Sequence, residues 1–150
     1  MTPTDLALGL LWTLATGHPD AALLAAYAGS ARVPREVVWA IAWQETRHNL
    51  NPGIRGGLCR GKRDCEVGRM QVKPSTARRV CPSLDIFTYD GNVRCSVGLL
   101  RSLYERRGSW ALAIRAYQCP SCTHATVYEK SVVSKIGYIE LRLKELQPWP

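Results

Sequence analysis

Proline and glycine cut this chain into helix-length pieces, and no piece outside 53–72 alternates apolar and polar residues as a strand would. The chain therefore reads as mainly α-helical. One helix is expected over about Asp5 to Ala15, and the next over Pro19 to Ala28, with Pro19 near its first turn. A third opens at Pro34 or Arg35 and runs to about Thr46, where Asn49-Leu50-Asn51-Pro52-Gly53 breaks it. Residues 53–68 are glycine-rich and basic, and read as an irregular loop or a small β-hairpin. Pro74 starts a short helix to Val80, and Pro82 to Asp90 reads as turn or coil. Helix resumes at about Asn92, where Val93, Val97, Leu100 and Tyr104 form an apolar stripe at steps of three and four. Gly108 ends that helix, and Ser109 caps a short one with Trp110, Ile114 and Tyr117 on one face. The last helix spans about Ala125 to Leu146, with a break or shift expected near Gly137. At 150 residues the chain suits one domain with a real core.

The third helix contains an anomaly. Val37-Val38-Trp39-Ala40-Ile41-Ala42-Trp43-Gln44-Glu45-Thr46 is apolar almost throughout, yet it closes on a carboxylate. At about 100° per residue, Val37, Ile41 and Glu45 lie within about 80° of one another, flanked by Val38 and Ala42. Glu45 thus shares the apolar face. Burial makes a carboxylate costly to ionise and raises its pKa, which keeps it protonated near neutral pH as a general acid must be. The competing reading is an ion pair of Glu45 with Arg47 or Arg55 at the helix end.

Charge and cysteines bound the setting. The formal net charge is +8, which favours a polyanionic partner: nucleic acid, an anionic membrane surface or bacterial wall polymers. A merely solvated basic surface is the plain alternative. The basic residues are dispersed, and no helix groups base-reading side chains near its start, so nucleic acid is not the expected partner. Six cysteines in so short a chain suggest an oxidising compartment and disulfides. Sequence does not fix the pairing. Pairing of neighbours is favoured: Cys59 with Cys65, Cys81 with Cys95, Cys119 with Cys122. Only Cys119 and Cys122 have a familiar zinc-ligand spacing and no second such pair exists, which argues against a metal site. Their segment follows a helical stretch, where a thioredoxin-like motif would follow a strand. No apolar run approaches the roughly 18 residues of a membrane span. Leu6 to Ala15 is apolar but has no basic residue before it, so it makes a poor secretory signal.

Four motifs, in order, resemble the lytic transglycosylase (SLT) domain of the lysozyme-like superfamily. Gln44-Glu45-Thr46 resembles the catalytic Glu followed by a small hydroxyl residue. Gly68-Arg69-Met70-Gln71-Val72-Lys73-Pro74-Ser75-Thr76-Ala77 resembles Gly-Leu-Met-Gln-Ile-x-Pro-x-Thr-Ala, with Arg69 for Leu. Asn92 and Gly98 match a helix with Asn and Gly near its start. Ala116-Tyr117-Gln118 resembles Ala-Tyr-Asn, and Tyr128 matches a Tyr on the last helix. The resemblance covers about residues 33–133, leaving extra N-terminal helices over 1–32.

The resemblance implies a helical fold with a cleft between two lobes and peptidoglycan as substrate. Glu45 would protonate the glycosidic oxygen between MurNAc and GlcNAc, then take the proton of the C6 hydroxyl as a 1,6-anhydro ring closes. Neither water, metal nor cofactor enters that reaction. Thr46, Met70, Gln71, Tyr117 and Gln118 are implied as substrate contacts, and Tyr128 as a hydrogen-bond partner that orients Glu45. Met70 also reads as plain core, Gln71 as a cap for the helix at Pro74, and Tyr117 as a core aromatic. Two departures bear on the cleft: Cys119-Pro120 stands where Gly is usual, and Gly56 to Glu66 is long and basic, a candidate flap stapled by Cys59–Cys65. The implied setting is extracytoplasmic or on a phage particle, as a monomer, alone or within a secretion, conjugation or phage-entry apparatus. A hydrolytic lysozyme on the same fold would need a second carboxylate, for which Asp64, Glu66, Asp85 and Asp90 are available. A silent wall-binding module has no need to bury an acid.

Overall fold

The computed structural model describes residues 2–47 and 64–146, apart from the side chains of Asp5 and residues 14–16. The candidate flap, Cys59 and its pairing with Cys65, and most of the loop or hairpin expected over 53–68 lie outside the described residues. Helices α1 (Pro3–Thr16), α2 (Ala21–Ser30), α3 (Arg35–Thr46), α4 (Pro74–Val80), α5 (Tyr89–Arg107), α6 (Trp110–Gln118) and α7 (Val127–Leu146) carry the described fold. Among the described residues, the only strand-like pairing is a single antiparallel bridge between Val67 and Val72.

Helix α3 lies at the centre because it is apolar nearly all round. Val37, Val38, Trp39, Ala40, Ile41 and Ala42 are all buried. It packs against α2 on one side and α7 on the other. Trp39 stacks on Trp12 of α1 at 5.8 Å between ring centroids, and its indole N–H donates to the Ala21 carbonyl at 2.8 Å. Gln44 Oε1 accepts from Ser131 Oγ (2.7 Å) and Lys135 Nζ (2.9 Å), which ties the last turn of α3 to α7. A smaller core of Leu99, Leu103, Ala113 and Ala116 joins α5 to α6. Arg115 of α6 then grips Glu129 of α7 through Nε at 2.6 Å and Nη2 at 3.3 Å.

Helices α2, α5 and α7 differ from expectation. Helix α2 starts at Ala21, after Pro19, with Asp20 as its N-cap. Helix α5 starts at Tyr89, three residues before Asn92, because the Thr88 hydroxyl accepts from the Gly91 N–H at 3.0 Å. Gly91 reads as a turn residue, yet it sits inside the first turn, where a Cβ would stand 1.9 Å from the Asp85 carbonyl oxygen. Helix α7 runs unbroken through Gly137, since the roughly 1 kcal/mol helical cost of a glycine is offset by burial of Val132, Ile139 and Leu143 on the same helix. Its start at Val127 follows from Thr126, whose hydroxyl accepts from the Glu129 N–H at 3.0 Å.

Of the cysteines, Cys81 at the end of α4 is bonded to Cys95 of α5, and Cys119 to Cys122 after α6. No helix among the described residues is long and apolar enough to cross a membrane.

Candidate active site

Glu45 sits one residue from the end of α3, half-buried, with its carboxylate turned toward the first turn of α7. There the Tyr128 hydroxyl donates to Glu45 Oε1 at 2.6 Å. Among the described residues no ion pair reaches Glu45, from Arg47 or any other; Arg55, the other partner expected, lies outside the described residues. Burial pushes the Glu45 carboxyl upward, the Tyr128 hydroxyl pulls it back, and the negative Glu66 nearby raises it again, leaving it at about 7. At neutral pH such a group populates both protonation states, so it can give a proton and take one back.

The turn 67–72 packs against the end of α3, where the Thr46 hydroxyl donates to Arg69 O at 2.8 Å. Gly68 at φ +75° and Gln71 at φ +52° turn the chain between the bridged Val67 and Val72. Asn92, fully buried at the start of α5, holds this turn: its Oδ1 accepts from Met70 N (2.9 Å), and its Nδ2 donates to Val67 O (2.8 Å) and Ile86 O (3.0 Å). A Cβ at Gly68 would lie 2.2 Å from Asn92 Nδ2, so only glycine fits there. The Tyr117 hydroxyl of α6 donates to Met70 O at 2.7 Å and closes the connection from α6 to the turn.

Residues 64–76 and the end of α6 line a cavity of about 260 Å³, with Glu66, Gln71, Tyr117 and Gln118 among its lining; Glu45 and Tyr128 are not in that lining and are linked to it through Glu66, which acts on Glu45. Gln118 is exposed and has no hydrogen-bond partner among the described residues, so its amide is open to a ligand. Gln71 Nε2 donates to Gly68 O at 2.8 Å; the side chain braces its own turn and does not cap α4, whose N-cap, Lys73, makes no side-chain capping bond. Met70 has no exposed surface, so its side chain is core and offers no face to a ligand. Thr46 is also engaged: its hydroxyl donates to Arg69 O at 2.8 Å and accepts from Arg69 Nη1 at 2.5 Å.

Of the candidate second carboxylates, three are held by other hydrogen bonds, Asp64 among them although it lines the same cavity. Asp64 accepts from the Ser75 N–H at 2.8 Å and from its hydroxyl. Asp85 accepts from Phe87 N at 3.0 Å, and Asp90 from Tyr27 Oη at 2.6 Å. Glu66 alone of the four acts on Glu45 electrostatically.

Arg69 has the largest structural role that its sequence position did not disclose. It is 1 % exposed, and its guanidinium holds the carbonyl end of α3: Nη1 donates to Ala42 O at 3.0 Å and Arg47 O at 2.7 Å. Nε and Nη2 form a two-pronged pair with Asp20 at 2.9 and 3.1 Å. Nη2 also lies 3.3 Å from His18 Nδ1; arginine only donates, so that nitrogen accepts and carries no proton. The Tyr89 hydroxyl donates to Asp20 at 2.7 Å. Burial alone would raise the Asp20 carboxyl, but the hydrogen bonds and charge of Arg69, with Tyr89, hold it below its usual value. The segment before α2 is thereby bolted to the end of the helix that carries Glu45.

A family model described as the transglycosylase SLT domain matches residues 22–133. No curated protein matches the chain.

Proposed function

The chain belongs to the transglycosylase SLT domain family, whose activity is glycosidic-bond cleavage in peptidoglycan, and from that premise we propose that it is a lytic transglycosylase acting through Glu45. The observation that carries this reading is Glu45 itself: an acid on the apolar face of α3, hydrogen-bonded to Tyr128 and poised at about 7. Protonated Glu45 donates to the oxygen joining MurNAc C1 to GlcNAc C4, and the C1–O bond breaks. The Tyr128 hydroxyl stabilises the carboxylate so formed. The carboxylate then takes the proton of the MurNAc C6 hydroxyl while O6 bonds to C1, which closes the 1,6-anhydro ring. Glu45 ends as it began, and no water is consumed.

Gln71, Tyr117 and Gln118 supply amide, hydroxyl and aromatic surface to the sugars in the cleft, while Thr46 and Met70 support the wall from behind. Action on peptidoglycan implies work outside the cytoplasm, and the disulfides agree with that. Delivery on a phage particle or by a secretion or conjugation apparatus fits the same chemistry.

Glu66 favours a second reading. A carboxylate close enough to act on Glu45 is what a hydrolase would use against the opposite face of the sugar. Mass spectrometry of the fragments released from purified peptidoglycan separates the two. Chains ending in 1,6-anhydroMurNAc support the transglycosylase. Chains with free reducing ends make the protein a lysozyme-type hydrolase and turn attention to Glu66.

A further inference from the structure

Beyond the sugar cleft lies a second cavity of about 320 Å³, lined by Thr76, Leu99, Tyr117 and Pro120, which also line the cleft, and by the arginines Arg79, Arg106 and Arg107. The two cavities therefore adjoin, with Tyr117 as a shared wall. Their charges differ. Asp64 and Glu66 line the cleft, whereas no carboxylate among the described residues lines the second cavity.

What sets the three arginines apart is that they meet at one cavity; their lack of a carboxylate partner among the described residues is shared by Arg32, Arg47 and Arg78. Arg35, Arg69, Arg94, Arg101, Arg115 and Arg142 each have a carboxylate partner. Arg79, Arg106 and Arg107 have none among the described residues. Arginines in a last helical turn, as these are in α4 and α5, also favour the helix dipole. That explains a basic residue at each helix end but not the convergence of both ends on one cavity. Two of the guanidiniums are already oriented by carbonyls: Arg107 Nη2 donates to Pro120 O at 2.9 Å, and Arg106 Nε to Ser102 O at 3.3 Å. A planar guanidinium with free N–H groups is matched to a carboxylate.

We propose that this cavity is an anion subsite that receives a carboxylate of the acidic stem peptide carried by a muramyl residue lying in the adjoining cleft. The inference rests on the glycan-cleaving reading of that cleft. It extends it by assigning the substrate preference: strands that still bear their stems over strands stripped of them. A phosphodiester wall polymer shares the negative charge but would not occupy sugar cleft and cavity together.

The test reads binding, not cleavage, so it does not depend on which products the enzyme makes. In a Glu45→Gln background, affinity is measured for stem-bearing glycan strands, for the same strands after amidase removal of the stems, and for polyglycerol phosphate. Stem-bearing strands should bind about tenfold tighter than stripped ones, the order expected of two or three exposed charge pairs. Arg79→Gln/Arg106→Gln/Arg107→Gln should abolish the difference and leave binding of stripped strands unchanged. Arg79→Gln alone, which removes no hydrogen bond among the described residues, should abolish part of it without touching the fold. Equal binding of both strands, an undiminished preference in the triple variant, or tighter binding of polyglycerol phosphate than of stem-bearing strands each overturns the subsite. Failure of the cleavage reading looks different: the wild type would release no glycan fragments from either strand.

Discussion

Replacing Arg69 by leucine removes the guanidinium and strands its partners. The Asp20 carboxylate, 6 % exposed, keeps the Tyr89 hydroxyl and a backbone N–H but loses its only cationic partner among the described residues, and the Ala42 and Arg47 carbonyls lose the donor that joins them. Breaking a buried pair from one side costs about 3–5 kcal/mol. In a domain of this size each kcal/mol lowers Tm by roughly 2–4 °C, so a fall of roughly 6–20 °C is expected. Arg69→Leu combined with Asp20→Asn leaves no buried charge behind and should be more stable than Arg69→Leu alone. The pH dependence carries a sign. In the wild type the lowered Asp20 pKa contributes stability above the unfolded value of 3.8, lost as pH falls through the folded value. In Arg69→Leu, burial of Asp20 is opposed by little, its pKa rises, and the variant's deficit narrows between pH 7 and pH 4. Thermal melts and urea titrations followed by far-UV circular dichroism measure all of this. A single variant melting within about 2 °C of wild type, or a double variant less stable than the single, would refute the reasoning. Because Arg69 holds the end of α3, kcat of Arg69→Leu should also fall at temperatures where it remains folded.

Other consequences follow from the same contacts. Tyr128→Phe removes a hydrogen bond to the ionised form of Glu45, so the acid's pKa should rise further; a pH–rate profile whose descending limb stays in place would show that the phenol does not act on Glu45. Glu45 itself, raised from 4.5 to about 7, contributes stability that is complete below 4.5 and lost as pH rises through about 7. Glu45→Gln should therefore exceed wild type in stability at pH 8 by up to about 3 kcal/mol and match it at pH 4.5, as read from urea midpoints. Loss of Cys81–Cys95, with its sequence separation of 14, should cost about 3 kcal/mol, more than loss of Cys119–Cys122 with a separation of 3; serine pairs at each bridge, compared by Tm, test the order.

The helices were legible because their signals are local. Pro34, the apolar run to Ala42 and the break after Thr46 mark α3, and Gly108 and Ser109 mark the junction of α5 and α6. Glu45 was legible as anomalous from helical periodicity alone. Gly91 misled because a glycine demanded by close approach to Asp85 looks the same in sequence as a glycine in a turn. Gly137 misled because the packing that holds α7 straight comes from other helices. Tyr128 lies 83 residues from Glu45, and nothing in the pattern of either segment pairs them; only the resemblance did. Arg69 could be seen as a departure from the SLT motif but not explained, since His18 and Asp20 stand 51 and 49 residues away. Met70 shows the converse limit: its place in the motif suggested a sugar contact, while its burial makes it part of the wall behind the cleft.

The measurement that bears most directly on the central claim is the rate of fragment release from purified peptidoglycan by wild type and by Glu45→Gln, each first shown to be folded by circular dichroism. Gln can still accept the Tyr128 hydrogen bond but cannot cycle a proton. The expected result is a folded variant whose rate has fallen by at least about 100-fold, the scale of a lost general acid–base group. A folded variant that releases fragments at the wild-type rate would contradict the assignment of Glu45 as the acid and base.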